Sequence, residues 1–320
     1  MIRYVLRRVL WLIPVIACVS FIVYGLLDLA PGTVIDSMIT ENTTEEEILL
    51  LKQQYDLDKS VVYRYGKYML NLVQGDLGRS LSGKSVWELY ISRLPATLSL
   101  SLAALVIGVL LALPLGVFAA RYAGTIWDNL TTAFTLIGMS MPSFWLGLLL
   151  LSWFSLRINI FPAGGNAGGF RSFVLPAVTV GLMLMAMVTR QTRSAMLEVF
   201  NADYLRTARG KGVKERVVIF KHAFKNASIP IITTIGNQLA RTIAGAAVVE
   251  SVYTWPGIGR LTIDAVQQRD TTLACGCVVL SAIIYVVLLL LVDLMYAFVD
   301  PRIRARYRGV DRRKKKGVMA

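Results

Sequence analysis

Residues 190–230 read RQTRSAMLEVFNADYLRTARGKGVKERVVIFKHAFKNASIP. Nine Lys or Arg (190, 193, 206, 209, 211, 214, 216, 221, 225) stand against three acids, Glu198, Asp203 and Glu215. In a membrane-crossing chain the positive-inside rule puts such a segment in the cytoplasm. Asp203 is expected to N-cap a short helix over YLRTAR, and Gly210 and Gly212 to stop it. Beyond the stop, Val213, Val217, Phe220 and Phe224 recur at helical spacing opposite Lys214, Arg216, Lys221 and Lys225. A short helix, a glycine break and an amphipathic helix make a compact knob beneath a bilayer. The competing reading is a solvated basic loop held near anionic lipid.

The bilayer follows from composition. The chain is 55% hydrophobic and 17% charged, with a mean hydropathy of +0.58, far more apolar than an ordinary globular domain. A span needs about 20 apolar residues. Six windows meet or approach this: Val9 to Leu27, Leu98 to Ala120, Leu130 to Leu156, Ser172 to Thr189, Ala227 to Val249 and Thr271 to Val292. The N-terminal MIRYVLRR holds three Arg and no acid, and DPRIRARYRGVDRRKKK near the C-terminus holds nine basic residues against two acids, so both ends are expected in the cytoplasm. Six spans then place 28–97, 157–171 and 250–270 outside, and 121–129 and 190–226 inside. The first apolar run is too long for a signal peptide and is read as a retained span. The formal charge of +14 is a topology and lipid-surface signal. Nothing interleaves aromatic with basic residues as a nucleic-acid surface would.

Reactive chemistry is sparse. Gly78 to Ser85, GRSLSGKS, match a phosphate-cradling loop letter for letter. Neither an apolar strand nor a βαβ unit precedes them, so the match is read as accidental. His222 is the only histidine, which rules out a His-based triad or metal cluster. Cys18, Cys275 and Cys277 lie within or at the ends of spans and read as small hydrophobes; no metal site is expected. The triplets at Asn42, Asn129 and Asn226 are too short to carry an argument, and two of the three are not on the outer side. Arg241 falls near the middle of the fifth span, where a charge must face protein or water. With Asn237 and Gln238 it is a candidate to line a polar cavity and attract a carboxylate; the alternative is a paired, structural charge. Asp293, near the inner end of the last span, is read as a structural buried charge.

DYLRTARGKG followed by HAFKNASIP resembles the cytoplasmic coupling segment of the first-permease (B-type) subunits of peptide-type ABC importers. RYVLRRVLWLIPV, GDLGRSL, RLPATL, MPSFWLG, VVESVYTWPGIGRL, DAVQQRD and LLVDLMYAFVDPRIR extend the resemblance over essentially all 320 residues. The importer pattern E-A-A-x3-G-x9-I-x-L-P is degenerate here. Arg206, Thr207 and Ala208 take the E-A-A places and Gly212 the glycine, while His222, Ala223, Phe224 and Lys225 take the I-x-L-P places. That departure is typical of the peptide subgroup.

The resemblance implies a type I ABC importer permease fold, an all-α polytopic protein of six transmembrane helices. Its expected layout is a tail and first helix over 1–29, an extracytoplasmic helical insertion at 30–97, a permease core at 98–299 with a coupling segment at 190–226, and a basic tail at 300–320. It further implies no catalysis and no cofactor in this chain. A second homologous permease, two ATPase subunits holding ATP and magnesium, an extracytoplasmic binding protein and membrane lipid are the implied partners, in a bacterial or archaeal cell membrane. Asp203, Tyr204, Leu205, Arg206, Thr207, Ala208, Arg209 and Gly212 would couple to an ATPase, with Tyr204, Leu205 and Ala208 as contacts and Arg206 and Arg209 as rim charges. The expected cargo is di- or oligopeptide. Nickel, glutathione and oligosaccharides are alternatives within the subgroup. A secondary carrier is the alternative class, although no convincing repeat relates the two halves.

Overall fold

The computed structural model describes residues 2–30, 33–37, 39 and 43–299; the tail expected at 300–320 and the triplet at Asn42 lie outside them. The helices are α1 (Ile2–Leu29), α2 (Glu45–Gln54), α3 (Val61–Val73), α4 (Val86–Arg121), α5 (Ile126–Ser140), α6 (Ser143–Leu151), α7 (Phe170–Phe200), α8 (Asp203–Gly210), α9 (Glu215–Val217), α10 (Phe224–Gly245), α11 (Ala247–Val252), α12 (Ile258–Gln267) and α13 (Thr271–Val299). Two π-helical turns, Ser152–Arg157 and Val218–Ala223, extend α6 and join α9 to α10. Among the described residues the only β pairing is an isolated bridge between Arg79 and Ser85.

Among the described residues, four stretches are long and apolar enough to cross a membrane: Leu10–Leu29, Val86–Arg121, Phe170–Phe200 and Thr271–Leu294. A fifth is the pair Ile126–Ser140 and Ser143–Arg157, bent by 98°. The window Leu130 to Leu156 is therefore not one straight helix. Pro142 has no N–H to donate and pushes Met141 out of the helical region, to φ −72° and ψ 127°. α10 does not reach the length-and-apolarity standard of the others, because Asn237, Gln238 and Arg241 dilute its middle. It also stops at Gly245, and residues up to Val252 form the separate α11. The second long helix starts at Val86 rather than Leu98.

By internal contacts the described residues divide into two compact units, one from 98–255 and 287–299 and the other from those before 98 together with 256–286. In the first, α7 is the central post, with α5, α6, α10 and α11 packed around it. Small residues let α4 approach it closely. A Cβ added at Gly116 would lie 2.8 Å from the Thr189 carbonyl oxygen and 2.5 Å from Thr192 Cβ; one at Gly181 would lie 3.1 Å from the Ala104 carbonyl oxygen. Such contacts carry helix association in lipid, where burial of apolar surface gives no drive between helices.

In the second unit, Leu77, Val86, Tyr90, Ile258, Leu273 and Leu280 share one apolar core. Asp270 organises its polar edge by accepting from Ser80 Oγ (2.6 Å), Leu81 N (2.8 Å) and Leu273 N (2.9 Å). The segment 78–85 is thus a closed turn fastened to the start of α13. Helix α3 and Leu77 precede it, not a strand, so the phosphate-loop match is one of letters only. Asp28 pairs with Arg64 and thereby ties α1 to α3.

Gly116→Val should force α4 away from α7 at a cost of about 1–3 kcal/mol, the usual penalty of overpacking. A tryptophan-fluorescence melt of the purified protein should show the midpoint falling. Gly25→Ala, with nothing within 4 Å of the added carbon, should leave it in place.

Candidate functional site

α8 begins one residue earlier than a capping Asp203 would require. Ala202 is the N-cap, with no side-chain cap bond, and Asp203 is the first helical residue. There its carboxylate still faces the positive end of the helix. Gly210 stays helical and Gly212, at φ +73°, ends the helix. Gly212 N donates to the Arg209 carbonyl at 2.9 Å and Val213 N to the Ala208 carbonyl at 3.3 Å, the paired bonds of a Schellman stop. Space is no obstacle at Gly212, since nothing lies within 4 Å of a built Cβ; the left-handed backbone is what calls for glycine. Arg209 forks onto Glu215 across the turn, Nε at 3.2 Å and a terminal nitrogen at 3.0 Å. That guanidinium holds the Glu215 carboxyl below its ordinary range. The pair's stability is present at neutral pH and fades as pH falls through the lowered value. With both side chains well exposed it is worth about 0.2–1 kcal/mol.

Leu205 is fully buried, and not in a partner. It enters a core with Ala112, Met196, Val218, Ile219 and Ile231, against which Ala208 and Val213 also pack. Leu205 and Ala208 therefore anchor α8 to its own chain. Asp203, Tyr204, Arg206, Thr207 and Arg209 are exposed, and Asn226 Nδ2 steadies the Tyr204 hydroxyl at 2.9 Å. The apolar face of the following segment also differs from the expected stripe. Val217 and Phe220 are exposed, while Val218, Ile219, Ala223 and Ala227 are buried. The π-turn at Val218–Ala223 inserts one residue per turn relative to an α-helix and rotates the buried face.

Beside this knob is a pair that the sequence reading passed over. Arg193 of α7 donates to both carboxylate oxygens of Asp128 on α5, at 2.6 and 2.7 Å, and Gly124 N adds a third bond at 3.0 Å. Asp128 is 3% exposed. An acid in the first turn of an otherwise apolar helix is the signal that a cation should be sought, but no spacing rule names a partner 65 residues away.

Deeper in the same unit is a cavity of about 350 Å³ at the bend between α5 and α6. Met139 and Ser143 flank the bend, Met183 and Met187 come from α7, and Gln238, Arg241 and Thr242 come from α10. Arg241 is exposed in this chain. The structure thus brings Gln238 and Arg241 together, while Asn237 is exposed on α10 outside the lining. Asp293 is half-buried rather than buried.

Apolar helices, a charged helix docked at their edge and a cation facing a cavity among them define a membrane permease. The chain belongs to the family described as binding-protein-dependent transport system inner membrane component, whose pattern matches residues 112–305; residues 1–101 match the N-terminal component of such systems. It is 37% identical over 314 residues to the oligopeptide transport system permease protein AppB of Bacillus subtilis (strain 168), covering 95% of this chain and 99% of that one. It is 34% identical over 336 residues to the dipeptide transport system permease protein DppB of Escherichia coli (strain K12), with the same coverage. The glutathione transport system permease protein GsiC of Escherichia coli O6:H1 is 35% identical over 305 residues, again at 95% and 99%. Among solved structures, the inward-facing MetNI methionine ABC transporter superposes with a TM-score of 0.57 at 18% identity, over 67% of this chain and 97% of that one. The fold is the type I ABC importer permease fold.

Arg193→Met should leave Asp128 buried without its cation, a loss of about 3–5 kcal/mol, and should be less stable than the double variant Asp128→Leu/Arg193→Met. Thermal denaturation of the three proteins reads this directly. Equal midpoints for the single and double variants would mean that the pair carries no coupling energy.

Proposed function

We propose that the chain is one half of the translocation pathway of an ATP-driven importer and that its cargo is a di- or oligopeptide. A second homologous permease would supply the other half. Two cytoplasmic ATPases would bind ATP and magnesium, and an extracytoplasmic binding protein would deliver the cargo. Both chain ends and the α8 knob are then cytoplasmic, in keeping with their basic charge. ATP-driven closure of the ATPases pushes on α8, and because Leu205 roots α8 in the core shared by α4, α7 and α10, the push reaches the spans as a rigid-body movement.

The observation that carries the peptide reading is Arg241. A guanidinium exposed on a membrane helix must meet water, a partner or cargo rather than lipid, and this one faces a cavity with no acid in its lining. Such a site attracts a carboxylate and repels a divalent cation, which favours peptides, glutathione among them, over nickel. Neutral oligosaccharides gain nothing from a fixed charge.

In liposomes holding the complete complex, Arg241→Gln should reduce peptide taken up per ATP hydrolysed about tenfold or more, the worth of a charge-assisted hydrogen bond. An unchanged ratio would remove Arg241 from the pathway. For the knob, Arg206→Glu combined with Tyr204→Ala alters only the exposed face of α8, and co-purification of the ATPase should drop. Gly212→Ala forces a left-handed alanine at about 1–2 kcal/mol and should loosen the same association more mildly. If all three substitutions keep the ATPase fully bound, the knob is only a basic membrane-surface loop.

A further inference from the structure

Residues 182–187 read LMLMAM, and α7 sorts these methionines by face. Met185 is buried in the core with Met196 and Val188. Met183 and Met187, one turn apart, line the Arg241 cavity, and Met139 reaches it from the end of α5. One wall of the cavity thus offers three unbranched thioethers, and another offers hydrogen-bond donors. The Thr242 hydroxyl is committed to the Gln238 carbonyl at 2.8 Å. Among the described residues the Arg241 guanidinium and the Gln238 amide have no side-chain partner, so they are the groups left to meet a ligand.

Resting on the peptide reading above, we propose that this cavity is a side-chain-tolerant carboxylate subsite. Arg241 and Gln238 take the main-chain carboxylate of the cargo, and Met139, Met183 and Met187 accommodate whichever apolar side chain accompanies it. The volume, about 350 Å³, lies in the range of small-ligand sites. Methionine fills irregular space through three rotatable bonds and a polarisable sulfur, which is why it lines surfaces that accept varied partners. A wall of leucine or isoleucine would offer similar apolarity with fixed shape. Soft sulfurs suit a monovalent soft metal, but a guanidinium in the same cavity opposes any cation. The subsite therefore selects by terminus and is permissive toward the side chain.

The test uses the complete complex in liposomes, with one binding protein throughout, so that changes in uptake ratios report on the permease. The probes are dipeptides bearing Ala or Trp, each as free acid and as C-terminal amide. In Met139→Leu/Met183→Leu/Met187→Leu the Trp-to-Ala uptake ratio should fall about tenfold, the scale on which a shape-fixed apolar pocket discriminates. In Arg241→Gln the acid-to-amide ratio should fall by a similar factor while the Trp-to-Ala ratio holds. Should the triple variant fail to assemble, Met187→Leu alone reads the same ratio in the same direction. If the methionine variants lower uptake of every peptide by one common factor, or change nothing, the subsite proposal is overturned and the peptide reading stands. If the unsubstituted complex moves none of the four peptides, the peptide reading fails and the subsite with it.

Discussion

The backbone-to-backbone approach of α4 and α7 is the constraint on which the core unit depends. Gly108, Gly116 and Gly181 bring carbonyls of one helix to within contact distance of where a side chain of the other would start. In lipid there is no hydrophobic drive to bring helices together, so dispersion at short range has to do it. Once α4 lies against one side of α7, the rest of α7 is free to receive α5, α6 and α10. That arrangement explains why its apolar window is 67% buried when those of α4 and α13 are each 33% buried.

Charge is then placed where this packing allows. Asp128 and Arg193 lie where α5 meets α7 and satisfy each other with two parallel hydrogen bonds, the geometry in which a desolvated ion pair recovers most of its cost. Arg241 has no such partner among the described residues and opens onto a cavity. The charge pair links α5 to α7, and Arg241 is left facing the cavity. The two differ in whether the surrounding helices close over the charge.

The knob joins this core through a small number of apolar side chains. Leu205, Val218, Ile219 and Ala223 enter the same cluster as Ala112 and Ile231, so α8 is packed directly onto α4, α7 and α10. Gly212 supplies the reversal that turns α8 back onto that cluster, and the fork of Arg209 on Glu215 closes the turn from outside.

The sequence alone determined the membrane class, the knob and its glycine stop, because each rests on local signals: apolar runs, basic clusters, and a residue type that only one backbone conformation demands; the permease family came from the resemblance of its motifs to known subunits. The sequence also placed Arg241 inside a largely apolar window, since a charge there is visible in one dimension. Tertiary structure decided which faces are used. A π-turn at 218–223 rotated the buried stripe from Val217 and Phe220 to Val218 and Ile219, which no regular period could foretell. Leu205 turned from a docking residue into an anchor because the core of α4, α7 and α10 lay beneath it. Asp128 found Arg193, and Met139 joined Met183 and Met187, only through the packing of α5 on α7, two helices whose facing residues lie far apart along the chain. Contacts of that kind are set by the shapes of two surfaces together, and a linear pattern records only one of them at a time.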